Sequence, residues 1–261
     1  MLTKEQVATF QQQGYLKGSR VLTDAQVEEL RAEVERVIAD RDKPVPQPVS
    51  ITNLARNTGG VVWQIVNICN ASAPFAALVR HPQITEEVAQ LTGARELRLW
   101  HDQIQFKPAA TGGVNMWHQD WPYWGILDAP HQVTAWVALD DVDPDNGCMS
   151  MVPGSHRGGN NIQFLHQIPA FDQMPAEFEG RPLTVKPCPV RNGEVHYHHA
   201  LTWHGSPANK SGRPRRAIAL HYMTEQTRYK ASGQHLMKRF VTVADGAPLS
   251  GDAFPLVWPR A

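Results

Sequence analysis

From about residue 95 onward, the chain is a series of short segments rich in β-branched and aromatic residues. Clusters of glycine, proline and polar residues separate these segments. Because such clusters interrupt regular structure, many short strands divided by them are typical of an antiparallel sandwich or barrel. The predicted strands are residues 97–106, 132–139, 148–152, 183–185, 193–198 and 217–223. This part of the chain therefore predicts a mostly β fold.

The first third of the chain has a different pattern, with apolar residues at helical spacing. Residues 3–13, 24–40 and 73–92 are predicted helices, the last of them broken near Pro82. The first two begin at a threonine, whose hydroxyl can accept a hydrogen bond from the first-turn amides. The prolines of residues 42–48 end the second helix, because proline lacks the backbone N–H. We expect these helices to lie at the periphery of the β fold.

The length of the chain favours a single domain, residues 1–261, since barrels and sandwiches of this size are often undivided. We expect three parts within it: a helical part, 1–92, packed on the barrel; a β core, 93–225; and a C-terminal extension, 226–261. The core contains a mostly irregular insertion at 158–182. Insertions of this length are often lids or binding elements.

The charges of the chain are balanced, with 25 lysines and arginines against 25 aspartates and glutamates. A sequence-independent nucleic-acid-binding protein needs a basic stripe, so we expect no nucleic-acid partner. No apolar run approaches the roughly 20 residues of a membrane span, and the polar first residues contain no apolar signal core. We therefore expect a cytoplasmic protein without a membrane partner.

One short motif carries recognisable chemistry, because His118 and Asp120 lie two residues apart. On a β-strand, two such side chains point to the same face. An imidazole beside a carboxylate supplies two of the three ligands in the facial triad of a non-haem Fe(II) enzyme, and a second histidine supplies the third. The candidates for that histidine are His196, His198, His199 and His204. Spacing alone does not choose among them.

Three blocks of sequence accompany this motif in a fixed order. They are FKP at 106–108 with WHQD at 117–120; AWVALDD at 135–141 with NGC at 146–148 and VPGSH at 152–156; and HGS at 204–206 with Asn209, Ser211, Arg215 and Arg216. An HxD motif alone is common, but the three blocks together resemble the phytanoyl-CoA dioxygenase family of Fe(II)/2-oxoglutarate oxygenases. The resemblance implies a double-stranded β-helix core, the cupin-like jelly roll, with peripheral helices.

The resemblance also assigns roles to residues. It implies three iron ligands: His118, Asp120 and His204. Arg215 matches the arginine that holds the distal carboxylate of 2-oxoglutarate, and a guanidinium suits this role because its planar fork matches a carboxylate and stays charged when buried. On a strand, Arg213 would share the face of Arg215, whereas Arg216 would point the other way.

Several further residues are candidates for the pockets. The resemblance places Trp136 on the wall of the 2-oxoglutarate pocket, and Gln105 is a candidate polar partner for the same molecule. Trp63 and Trp124 are candidates for the substrate pocket, although a tryptophan also serves as a core residue. Trp124 follows the metal motif closely, which favours the pocket, whereas neither interpretation is favoured for Trp63. We expect Lys107 to be a solvated charge at a strand end.

The resemblance implies a dioxygenase that uses Fe(II), 2-oxoglutarate and O2 to oxidise a small molecule, with release of succinate and CO2. Related halogenases replace the carboxylate ligand with a small residue, so Asp120 favours hydroxylation over halogenation. Two alternatives stay open: a metal-dependent cupin-like enzyme that does not use 2-oxoglutarate, and a catalytically silent ligand-binding protein on the same scaffold. The sequence does not identify the substrate.

Overall fold

Most of the strands lie in the second half of the chain in the computed structural model, which describes residues 1–55 and 60–259. Among these residues the α-helices are α1 (Lys4–Gln13), α2 (Asp24–Ala39), α3 (Ala73–Leu78), α4 (Pro82–Thr92) and α5 (Ile162–Leu165). The strands are β1 (Tyr15–Arg20), β2 (Ser50–Asn53), β3 (Trp63–Val66), β4 (Leu97–Lys107), β5 (Asn115–His118), β6 (Gln132–Ala138), β7 (Ser150–Met151), β8 (Glu177–Phe178), β9 (Arg181–Pro182), β10 (Lys186–Pro187), β11 (Glu194–His199), β12 (His204–Ser206), β13 (Arg215–Thr224) and β14 (Leu256–Trp258).

Two antiparallel sheets form the centre of the molecule. The larger sheet has the order β1-β11-β6-β13-β4-β3-β2, with β14 also paired to β4, and the smaller sheet has the order β10-β7-β12-β5. Residues of both sheets, such as Trp136 of the larger and His204 of the smaller, line one cavity, so the sheets face each other. This arrangement confirms the predicted jelly-roll core.

The two central strands of the larger sheet, β6 and β13, are buried along their whole length. Their side chains alternate between two buried environments, because successive residues of a strand point to opposite faces. On β6, Val133, Ala135 and Val137 pack in the core beneath the helices, whereas Thr134 and Trp136 face the smaller sheet. The inner face of this sheet therefore carries the polar residues that form the site.

The predicted helices are present at the periphery. Thr3 and Thr23 each cap a helix through a reciprocal capping box, as their positions predicted. The predicted break near Pro82 is also confirmed, since α3 ends at Leu78 and α4 begins at Pro82. No helix within residues 1–55 and 60–259 is long and apolar enough to cross a membrane.

Two differences from the predicted elements affect the sheets and their packing. The N-terminal third contributes three strands, β1, β2 and β3, to the larger sheet. These strands were not predicted, because their sequences are short and partly polar. The predicted strand at 183–185 is wrong, because β9 ends before it and β10 begins after it. Its apolar residues, Leu183 and Val185, instead pack against a cluster that includes Trp203.

The close contact between β12 and β5 gives a test of this packing. A Cβ atom at Gly205 would lie 2.9 Å from the carbonyl oxygen of Asn115 and 3.2 Å from the amide nitrogen of Trp117. We expect Gly205→Ala to push the strands apart and to lower the free energy of unfolding by about 1–3 kcal/mol, measured by urea unfolding. Gly212→Ala is the control, because a Cβ there meets no atom within 4 Å. Equal stability of the two variants would contradict the packing.

Candidate metal centre

Three of the predicted site residues meet between the two sheets. His118 ends β5 and His204 begins β12, and the two residues are direct partners in the antiparallel pairing of these strands. The Nε2 atoms of His118 and His204 lie 3.7 and 3.6 Å from Oδ1 of Asp120. The three ligand atoms all lie within 4.8 Å of one another, a group that could hold one metal ion. The structure thus brings His204 to the motif.

The local conformation of the HxD motif differs from the strand that we predicted. Strand β5 ends at His118, and Asp120 has helical dihedral angles, φ −74° and ψ −50°. The amide of Asp120 donates a hydrogen bond to the carbonyl of Ala200, 3.0 Å away. A turn held by this bond, rather than the alternation of a strand, therefore brings the carboxylate beside His118.

The residue between the two motif side chains has a structural function that the sequence did not reveal. Gln119 is fully buried. Its amide nitrogen donates to the carbonyls of Gly159 and Leu201, both at 2.8 Å, and its oxygen accepts from the amide of Asn161 at 2.7 Å. Gln119 therefore connects the motif to the start of the 158–182 insertion and to the loop before His204.

The two imidazoles are held in one orientation by backbone carbonyls. Nδ1 of His118 lies 2.8 Å from the carbonyl oxygen of Met116, and Nδ1 of His204 lies 2.9 Å from that of Thr202. A carbonyl only accepts, so each Nδ1 carries the hydrogen and each Nε2 keeps its lone pair. This is the arrangement that metal-binding histidines usually have.

The two oxygens of Asp120 have different surroundings. Oδ2 accepts hydrogen bonds from Nε2 of His198 and from Oγ1 of Thr134, each at 3.2 Å. Oδ1 is left facing the Nε2 atoms of the paired histidines. Nδ1 of His221 lies 2.8 Å from the hydroxyl of Thr134, whose own hydrogen goes to Asp120, so His221 is the donor in this contact. The hydrogen bonds orient one carboxylate oxygen for a metal.

The other candidate histidines are not members of this group of ligand atoms. His198 is adjacent to it, since its Nε2 donates to Asp120 and its ring lies 4.6 Å from that of His204 between centroids. His196 is buried and stacks on Tyr15, with 5.6 Å between ring centroids. His199 packs against His156, with a centroid distance of 5.4 Å. Each of these side chains has its own packing environment.

Burial determines the protonation of the site. It lowers the pKa of both His118 and His204 from 6.5 to about 4, and in His118 the neighbouring imidazole adds to this effect. Burial alone would raise the pKa of Asp120, but the adjacent His204 and the hydrogen bond from His198 hold it well below its ordinary value. At neutral pH the group therefore presents two neutral imidazoles and one carboxylate.

The arginine that we predicted as a carboxylate clamp faces the same cavity. Arg215 is 2% exposed, and its guanidinium lies over the ring of Trp136, 4.9 Å from the centroid. Its Nε and Nη1 atoms have no hydrogen-bond partner among the described residues. Burial lowers its pKa to about 10, so it is still charged at neutral pH. A buried, unpartnered cation of this kind is costly unless an anion joins it.

The remaining basic residues near Arg215 point elsewhere. Arg213 is half exposed and pairs with Asp143, and Arg216 pairs with Asp140 on the other face of β13. The expected solvation of Lys107 is wrong, because this residue is fully buried. Its Nζ donates to the side chain of Ser206 and to the carbonyls of Ser206 and Pro207. Lys107 therefore holds the turn that follows β12, and burial lowers its pKa well below the ordinary value.

A second chamber of about 500 Å³ opens beside the three candidate ligands. Trp124 lines it, as expected, together with Gln105, which also lines the cavity of Arg215 and accepts a hydrogen bond from Asn115 at 3.0 Å. Trp63 does not line it, because Gln64 of the same strand faces the chamber and the next side chain along points away. The structure thus brings Trp124, but not Trp63, to the chamber.

Comparison with known proteins shows the family to which this chain belongs. Residues 10–217 match the family model described as phytanoyl-CoA dioxygenase. The chain belongs to this family. It is 27% identical over 248 residues to the peroxisomal phytanoyl-CoA dioxygenase of Bos taurus, covering 88% of this chain and 71% of that protein. It is 33% identical over 156 residues to the ectoine dioxygenase of Nocardia farcinica, covering 59% of this chain and 51% of that protein.

Solved structures of other enzymes share the fold of this chain over nearly its whole length. The non-heme alpha ketoglutarate dependent carbocyclase SnoK from nogalamycin biosynthesis is 28% identical, with a TM-score of 0.78 and coverage of 98% and 96% of the two chains. The epimerase SnoN from the same biosynthesis is 26% identical, with a TM-score of 0.76 and coverage of 97% of each chain. SnoN has also been solved with Fe3+, alpha ketoglutarate and nogalamycin RO.

The neutral, buried histidines predict acid sensitivity of the metal-free protein. Histidines in the unfolded chain bind protons below about pH 6.5, whereas folded His118, His204 and His221 do so only near pH 4. The unfolded chain therefore binds more protons within this window, so stability is complete above about pH 6.5 and falls as the pH drops toward 4. Melting temperatures measured with a chelator from about pH 7.5 to about pH 4.5 test this. A constant melting temperature would contradict it.

Proposed function

We propose that this protein is an Fe(II)- and 2-oxoglutarate-dependent dioxygenase that oxidises a small molecule and releases succinate and CO2. The proposal assigns Fe(II) to His118, Asp120 and His204. It assigns 2-oxoglutarate to Arg215, with Trp136 and Gln105 beside it. The observation that carries the proposal is the unpartnered, buried guanidinium of Arg215, which faces the same cavity as the three ligand atoms.

The three donor side chains match the ligands of non-haem Fe(II), and they border a cavity in which a co-substrate could bind. Two neutral imidazoles and a carboxylate form the facial set of non-haem Fe(II) oxygenases. All three donors come from the β5–β12 side, and the cavity on the side of the larger sheet holds Arg215. A molecule with a carboxylate at one end and metal-binding oxygens at the other could contact both, and 2-oxoglutarate has this structure.

When bound, iron and 2-oxoglutarate would activate O2 for oxidation of the substrate. The residues of the chain would bind and orient these groups and exclude water. Arg215 would fix the distal carboxylate through charge-assisted hydrogen bonds, and Trp136 would shield that ion pair from water. The carbonyls of Met116 and Thr202 would keep both Nε2 lone pairs directed at the metal. Thr134 and His198 would hold Oδ2 of Asp120, so that Oδ1 alone serves as ligand.

We propose hydroxylation as the outcome, since the carboxylate of Asp120 occupies the position that related halogenases leave to a halide. The known relatives include a dioxygenase for ectoine, and the solved neighbours include a carbocyclase and an epimerase from nogalamycin biosynthesis. These support a small-molecule substrate. Substrate-stimulated release of succinate, with the oxygen content of the product measured by mass spectrometry, would test the outcome.

The assignment of Asp120 as a ligand predicts a loss of metal binding in Asp120→Ala. We expect Mn(II), used as a probe for Fe(II), to bind at least about tenfold more weakly, because one of three protein ligands is removed. Succinate formation from 2-oxoglutarate should also be abolished. Electron paramagnetic resonance titration measures the metal affinity, and Asp172→Ala, at an exposed position, is the control. A variant with unchanged affinity and turnover would overturn the assignment.

The assignment of Arg215 predicts a selective loss in Arg215→Ala. The dissociation constant of 2-oxoglutarate should rise about tenfold to a hundredfold, because a charged hydrogen-bond partner is lost. Binding of 2-oxobutyrate, which lacks the distal carboxylate, should change little. Anaerobic titration of the Fe(II) protein, followed by its visible absorption, measures both.

Arg213→Ala is the matched control, because this arginine lies two residues away and is half exposed. We expect it to bind 2-oxoglutarate as the unmodified protein does. If Arg215→Ala binds 2-oxoglutarate equally well, another residue is the clamp.

A further inference from the structure

Three histidines outside the proposed iron ligands meet on one wall of the 500 Å³ chamber: His101, His221 and His235. We call them the histidine trio. The rings of His101 and His221 lie 4.6 Å apart between centroids, and those of His101 and His235 lie 5.7 Å apart. Trp124 packs edge-on against His101 and His221. None of the three belongs to the sequence blocks that accompany the HxD motif.

Strand register explains why two of them are adjacent. His221 of β13 is paired directly with His101 of β4 on one side and with Thr134 of β6 on the other. The three side chains therefore form a row across the inner face of the larger sheet. His221 lines both the cavity of Arg215 and the substrate chamber, so this row connects the two.

His101 is the member whose hydrogen bonds are unfulfilled. It is 2% exposed; the backbone of Asp102 lies near the ring, but no group of the described residues meets the distance and angle of a hydrogen bond to either ring nitrogen. A neutral imidazole has one donor and one acceptor, and leaving either of them unpaired in a buried place destabilises the protein. Because the ring lines the chamber, a molecule in the chamber is the partner that could satisfy it.

The other two members present opposite hydrogen-bonding groups. His221 donates its Nδ1 hydrogen to Thr134, so its Nε2 is an acceptor. Nδ1 of His235 accepts from the amide of Met237 at 3.2 Å, so its Nε2 carries the hydrogen and is a donor. Burial lowers the pKa of His221 and His235 to about 4 and that of His101 well below its ordinary value. The trio is therefore neutral at neutral pH.

The chamber offers no compensation for a charged substrate. Among the described residues that line it there is no lysine or arginine, and the carboxylate is that of Asp120, which the proposed function assigns to iron. A phosphate, carboxylate or ammonium group would lose its hydration there without gaining an ion pair. The volume is within the range of pockets that hold drug-sized molecules.

We propose that the histidine trio determines substrate specificity, and that it selects an uncharged molecule with a hydroxyl or carbonyl group hydrogen-bonded to His101. This inference rests on the proposed function, since it takes the chamber beside the iron ligands as the substrate site. A hydroxyl group satisfies both needs of the imidazole, because it donates one hydrogen bond and accepts others. Acyl-CoA thioesters and zwitterionic amino acids are the classes that the chamber excludes.

Three probes of similar size and different charge test this selectivity: naphthalenemethanol, naphthoate and naphthylmethylamine. Saturation-transfer NMR on the Zn(II)-loaded protein with 2-oxoglutarate measures their affinities, since Zn(II) is diamagnetic. We expect the neutral alcohol to bind at least about tenfold more tightly than either charged probe. Equal or tighter binding of a charged probe, or no binding of the alcohol, would overturn the proposal.

Variants of His101 test the hydrogen bond itself. His101→Phe keeps an aromatic ring but removes both nitrogens, and we expect it to bind the alcohol about tenfold more weakly. His101→Gln keeps one donor and one acceptor and should bind the alcohol within about threefold of the unmodified protein. His131→Phe, outside the chamber, is the control for a histidine-to-phenylalanine change. Unchanged affinity in His101→Phe would overturn the proposal.

A separate measurement distinguishes this inference from the proposed function. Binding of 2-oxoglutarate to the anaerobic Fe(II) protein is followed by visible absorption in every variant, and it should be the same in His101→Phe as in the unmodified protein. This also shows that the variant is folded. If the unmodified protein does not bind 2-oxoglutarate, the proposed function fails; if it does and the neutral probe is not preferred, the substrate inference fails alone.

Discussion

The pairing of β5 with β12 is the contact on which the rest of the site depends. It places His118 opposite His204, although the two are far apart in the sequence. Gly205 makes this approach possible, because its missing Cβ would meet the backbone of β5. The larger sheet supplies several of the side chains that line the same cavity, among them Thr134, Trp136 and Arg215. The smaller sheet thus carries the two paired histidines, and the larger sheet carries Arg215.

Hydrogen bonding, rather than charge pairing, orders the centre of this site. Asp120 has no cation beside it in the described structure, and its Oδ2 is held by a hydroxyl and an imidazole. The same hydroxyl accepts from His221, which borders the 500 Å³ chamber. One row of side chains therefore runs from the carboxylate to the chamber. If the chamber holds the substrate, as we propose, this row would link substrate recognition to the orientation of Asp120.

The sequence predicted the parts of the site that lie in continuous motifs. His118, Asp120 and Arg215 each belong to a short block with recognisable neighbours, and the alternation of short strands predicted the sandwich. Thr134 and His101 could not be found in this way, because their roles depend on the register between three strands. Lys107 was misjudged for a related reason: its partners lie in the turn after β12, about a hundred residues away. The conformation of Asp120 depended on a loop carbonyl that no local pattern encodes.

Gln119 connects the insertion at 158–182 to the HxD motif. Its side chain forms hydrogen bonds with both Gly159 and Asn161, while its backbone joins His118 to Asp120. The loop and the metal site thus have a common anchor. One buried side chain thus holds both the start of the insertion and the segment that joins His118 to Asp120, so the two cannot shift independently while its hydrogen bonds are intact.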